Sequence, residues 1–157
     1  MKRVLVFLCL IFLINAGATG QSARAALEVY EEGPVWHMIY MRTGPGSREA
    51  YLDSLSRTWI KQIELAEQMG FVLDHHVLTK WPGNLDDWNV LIIEIFPNMA
   101  SYDSFWENWA LVDAQILPDQ RQQDAVSAEV VAKRTMLGVQ IAREVFLKPP
   151  GTVNQNQ

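Results

Sequence analysis

Two short segments of this sequence are apolar on both alternating sets of side chains, and they constrain the fold more than any other feature. Val35 to Met41 reads Val-Trp-His-Met-Ile-Tyr-Met, and Val90 to Phe96 reads Val-Leu-Ile-Ile-Glu-Ile-Phe. Both are rich in β-branched and aromatic residues. Turn chemistry bounds them: Gly33-Pro34 and Gly44-Pro45-Gly46 around the first, Pro97-Asn98 after the second. Such runs read as strands. Successive strand residues point to opposite faces, so a strand apolar on both sets must be covered on both faces.

The rest of the chain supplies cover for only one face. Ser47 to Met69 repeats Leu52, Leu55, Trp59, Ile63 and Ala66 at three- and four-residue spacing, with charges opposite. That is an amphipathic helix, capped by Ser47 and ended by Gly70. Phe71 to Lys80 reads as a second strand, joined by the turn Trp81-Pro82-Gly83-Asn84 to the third, Asn89 to Phe96. A helix is expected from Met99 to Ile116, interrupted by Pro118, and another from Gln120 to Met136. Val139 to Leu147 alternates as a fourth strand.

The order β-α-β-β-α-(α)-β predicts an α+β fold, the ferredoxin-like split βαβ arrangement: a four-stranded antiparallel sheet with helices on one face. The bare face then calls for a second sheet from another copy, so the expected partner is the chain itself, as a homodimer.

The start of the chain reads differently. Met1-Lys2-Arg3 is a positive n-region, Val4 to Ile14 an unbroken apolar run, and Ala16-Gly17-Ala18 and Ala23-Arg24-Ala25 are small-residue cleavage sites. Residues 1–25 are therefore expected to be a secretory signal peptide, and the mature protein secreted or periplasmic. The run is short of the ~20 residues of a membrane helix, so no stable membrane span is expected after cleavage. Residues 26–34 would form an N-terminal arm, 35–148 the folded domain, and 149–157 a disordered tail. Cleavage removes three of the 13 basic residues and none of the 18 acidic ones, taking the net charge from -5 to -8. It also removes Cys9, the only cysteine. Thiol catalysis, thiolate metal sites and disulfides are excluded for the mature form. An acidic chain has no basic surplus to neutralise phosphates, so nucleic acid is not an expected partner.

The plan from Val35 to Leu147 resembles the dimeric α+β barrel superfamily, which includes antibiotic-biosynthesis-monooxygenase-like, EthD-like, NIPSNAP-like and chlorite-dismutase-like proteins. The residues carrying the resemblance are Trp36-His37-Met38-Ile39-Tyr40, Gly70-Phe71, Glu94-Ile95-Phe96, Tyr102-Asp103-Ser104-Phe105-Trp106 and Arg143-Glu144-Val145-Phe146. The resemblance implies sheet-to-sheet dimers and a small ligand held between sheet and helices. It implies no particular chemistry.

Glu94 is the first candidate for chemistry. A carboxyl inside an apolar strand is either paired, for instance with Arg143 or Lys80, or protonated and able to act as acid or base. His37, mid-strand between Trp36 and Met38, is the second: a buried imidazole serves as a base near neutral pH or is simply hydrogen-bonded in place. His75 and His76 are adjacent on a strand and must point to opposite faces. No His-x-x-x-His pair and no His/Cys cluster occurs, so no metal and no cofactor is expected. Six tryptophans are costly to spend on a surface. They either pack core and interface or, with Trp36, Tyr40, His75, Trp106 and Trp109 as the lining, form an aromatic pocket for a small hydrophobic ligand. Phosphate-loop, dinucleotide, nucleophile-elbow and calcium-loop motifs are absent. Two functions fit this sequence: an exported small-molecule binder or cofactor-independent enzyme using Glu94 and His37, or a non-catalytic homodimeric envelope module with a fully packed core.

Overall fold

A computed structural model of the chain describes residues 29–84 and 86–149. The expected signal peptide at 1–25 and the tail from 150 onwards lie outside the described residues. The elements are β1 (Tyr30–Thr43), α1 (Arg48–Arg57), α2 (Trp59–Gln68), β2 (Asp74–Thr79), β3 (Val90–Phe96), α3 (Met99–Asp103), α4 (Phe105–Ile116), α5 (Gln120–Ala132) and β4 (Arg134–Leu147). No helix among the described residues is long and apolar enough to cross a membrane.

Two compact units divide these residues. One comprises 33–144, with the helices and the body of the sheet. In the other, residues 29–32 and 145–149 are held together by the Lys148 amide donating to the Val29 carbonyl (2.8 Å) and by a Lys148–Glu31 ion pair (3.2 Å).

The strand order is β2-β3-β1-β4. β3 pairs antiparallel with β1, Val35 opposite Phe96 through Met41 opposite Val90, and with β2, Asp74 opposite Ile95 through Thr79 opposite Val90. Trp36 Nε1 donates to Glu144 and the Tyr40 hydroxyl to Gln140, so partner numbers fall as β1 rises and β4 is antiparallel too. This is the ferredoxin-like α+β arrangement expected from the order of elements. At the end of the β1–β3 ladder, buried Asn89 accepts from the Thr43 amide (2.9 Å) and donates to the Thr43 hydroxyl (2.9 Å).

The two faces of the sheet are clothed differently. Val35, Met41, Val90, Ile92 and Phe96 lie under the helices, against Tyr51, Leu55, Trp59, Ile63, Tyr102 and Phe105. Leu91, Ile93 and Ile95 face away, and the partly buried side chains of Trp36, Met38, Tyr40 and Trp88 pack against them. β3 is buried along its whole length.

Local hydrogen bonding redraws several boundaries. The single helix expected at 47–69 is two, broken at Thr58, whose hydroxyl and amide both bond the Ser54 carbonyl. Hydroxyl back-bonding of this kind bends helices. Ser104 likewise separates α3 from α4. The helix expected to reach Met136 ends at Ala132, and Arg134 to Gly138 belong to β4. β1 starts at Tyr30, inside the segment expected to be an arm. Ser47 stands at the α1 N-cap, but its hydroxyl donates to the Gly44 carbonyl instead of capping.

Gly70 does end α2 as expected, with φ +81° and open space where a Cβ would point. The cost of a side chain there is conformational and not steric. Gly70→Ala should lower stability by about 1 kcal/mol in a denaturant melt, the penalty of a left-handed L-residue.

Candidate functional site

The register places three polar side chains in one row across the sheet: His37 on β1, Glu94 on β3 and His75 on β2. Residues directly opposite share a face, and this row lies under the helices. His37 and Glu94 are 6% and 3% exposed. With Glu94 written as the carboxylate, its Oε2 accepts from His37 Nδ1 (3.0 Å) and its Oε1 from the indole of Trp59 (3.3 Å). Trp59 opens α2 just after the break at Thr58.

Each polar group is enclosed by rings. His37 meets Tyr102 and Phe105 edge-on, at 5.5 and 5.3 Å between centroids, and Phe96 at 6.4 Å. Burial, reinforced by the negative charge of Glu94, pushes the Tyr102 hydroxyl above its ordinary pKa. His75 meets the edge of Trp59 at 5.3 Å, and its Nδ1 lies 2.6 Å from Glu67 Oε1. A carboxylate bonded to one imidazole nitrogen fixes ring and tautomer, the arrangement by which acid–base catalysts orient a histidine. In this case the ring it orients is packed among aromatic side chains.

The other residues singled out in the sequence lie elsewhere. Trp36 and Tyr40 are on the helix-free face, bonded to Glu144 and Gln140 of β4. Trp109 packs into the helical core against Phe71 and Phe105, and its buried indole nitrogen has no hydrogen-bond partner among the described residues. Trp106 is 79% exposed. His76 projects opposite to His75, towards Trp36. Lys80, one of the bases considered for Glu94, pairs instead with Asp87 (2.8 Å) and lies over the Trp88 ring (4.3 Å). Backbone donation from Gly83, with Lys80 second, holds the Asp87 carboxyl below the usual range.

The surface of the described residues carries shallow depressions. One of about 270 Å³ lies on the helix-free face, lined by Tyr40, Asp86, Asp87, Trp88 and residues 137–140. Another, about 80 Å³, lies between α1 and α5. Neither is lined by His37 or Glu94.

Sequence reasoning missed Trp59, Glu67 and Asp74. The signal for the His37–Glu94 contact was present. Laid flush and antiparallel, the two apolar runs set His37 opposite Glu94. No comparable signal marks Trp59, whose indole reaches Glu94 only because α2 starts where it does.

No protein-family model and no curated protein matches the chain. Among solved structures it is similar to a dimeric ferredoxin-like protein from an uncultured marine organism, at 14% identity, 74% coverage of this chain, 96% of that one, and a TM-score of 0.48. It is also similar to a dimeric ferredoxin-like protein of unknown function from Thermobifida fusca YX, at 11% identity, 76% and 94% coverage, and a TM-score of 0.38.

Proposed function

We propose that the protein is an exported homodimer, a non-catalytic module whose two copies meet through the helix-free face of the sheet. The observation that carries this is the face itself. Leu91, Ile93 and Ile95 pack with Trp36, Met38, Tyr40 and Trp88 on the side away from the described helices, which cover the opposite side. A broad aromatic and aliphatic surface of this kind is buried in obligate dimers, at roughly 2,000 Å² or more of total area. Sedimentation equilibrium at micromolar concentration should return twice the chain mass, and a well-folded monomer would overturn the proposal.

The non-catalytic part of the reading is supported by the polar row. Both oxygens of Glu94 are engaged by His37 and Trp59, and neither Glu94 nor His37 lines the depression beside Tyr40 or the one between α1 and α5. Export rests on the basic start, the apolar run and the Ala-x-Ala sites of residues 1–25. Intact-mass measurement of envelope-purified protein should show loss of the chain up to Ala18 or Ala25. Retention of Met1 or Cys9 would mean a membrane anchor.

A second reading, a binder of a small hydrophobic ligand, is favoured by the depression beside Tyr40 and Trp88, whose rings meet edge to face at 6.0 Å. Native mass spectrometry tests it: a retained small molecule lost in Tyr40→Ala supports binding there, and bare protein does not.

A further inference from the structure

We infer that Glu67, Asp74 and His75 form a divalent-metal site, with zinc the best-matched ion. Candidate ligand atoms from the three residues all lie within 4.8 Å of one another. One imidazole nitrogen and two carboxylates suit zinc, whereas magnesium and calcium take oxygen donors alone. In a tetrahedral zinc site with bonds of about 2.1 Å the donors stand roughly 3.4 Å apart. His75 Nδ1 and Glu67 Oε1 are already closer than that, at 2.6 Å. A metal would replace the proton between them, the remaining adjustment falling to Asp74, whose side chain is 60% exposed. Three protein donors leave a fourth position to water, the composition of an open zinc site.

Two further features fit a cation here. Glu67 is the penultimate residue of α2, at the end where the helix dipole disfavours a carboxylate, and no basic residue stands in that last turn. A bound cation removes that conflict. The imidazole is also oriented from behind. Trp59 packs against the His75 ring at 85° and is itself anchored to Glu94, the kind of outer contact that fixes metal-binding histidines. The site stands independently of dimer formation.

The test is titration of the purified protein with zinc alone, in competition with a chromophoric chelator, while tryptophan emission is followed. One zinc per chain should bind at micromolar concentration or tighter, and the emission should change because Trp59 abuts the ligand. His75→Ala should weaken binding about 100-fold, and Glu67→Gln and Asp74→Asn about tenfold each, as expected for loss of direct ligands. Glu129→Gln, at a surface carboxylate on α5 outside this cluster, should leave it unchanged. Trp59→Phe should keep the stoichiometry and lose most of the emission change. Absence of saturable binding below about 100 μM, or binding indifferent to both His75→Ala and Glu67→Gln, overturns the site. If His75→Ala does not fold, Glu67→Gln and Asp74→Asn, at more exposed positions, decide it.

Discussion

Glu94→Ala should lower the free energy of unfolding by about 3–5 kcal/mol, the cost of removing one member of a buried, hydrogen-bonded pair. Two donors lose their acceptor at once, His37 Nδ1 and Trp59 Nε1, and a side chain only 3% exposed is replaced by a void. Glu94→Gln should cost less, about 1–3 kcal/mol, because the amide oxygen still accepts from Trp59 while its NH2 turns to His37 in the other tautomer. Denaturant melts of the three proteins give both numbers. A loss under about 0.5 kcal/mol for the alanine variant would mean that the row adds nothing to stability.

Met38→Glu should convert the proposed dimer to a monomer at micromolar concentration. Met38 sits mid-strand on central β1, in the cluster that covers Leu91, Ile93 and Ile95 without a helix above it. A carboxylate there is solvated in the single chain but desolvated and unpaired between two sheets. Such a charge costs about 2–5 kcal/mol, a weakening of at least 30-fold. Sedimentation should shift to the monomer mass while far-UV circular dichroism is retained. A dimer that survives Met38→Glu is not built on this face.

What could be read from the sequence follows the range of the forces involved. Strand positions were legible because parity and turn residues are local properties, and the ferredoxin-like order follows from them. Glu94 was legible as unusual because a carboxyl among Ile92, Ile93, Ile95 and Phe96 needs an explanation. His37 could be found only by laying the two apolar runs flush, across 57 positions of sequence, and Trp59, 35 positions away on a helix, could not be found at all. The helix breaks were illegible for another reason. Leu52, Leu55, Trp59 and Ile63 keep their helical spacing straight through Thr58, and the break comes from a hydroxyl–carbonyl bond that leaves periodicity intact. Arg134 to Met136 was read as helix because the three residues have no alternation, yet they open β4. Glu67 was placed on the charged side of its helix, although the chain turns at Gly70 and brings His75 back against it.

The polar row also bears on how the chain finds its alignment. β1 and β3 are apolar on both faces, so sliding one past the other by two residues keeps every greasy side chain on its own side. Hydrophobicity alone cannot choose among those offsets. A two-residue slip sets Glu94 against Val35 or Ile39, with no imidazole to receive it, and pulls Asn89 away from Thr43. The carboxylate thus works as a vernier mark on an otherwise unmarked scale. It penalises the near-miss pairings of two strands that must meet across 46 intervening residues, and an all-aliphatic β3 would fold with that mark erased.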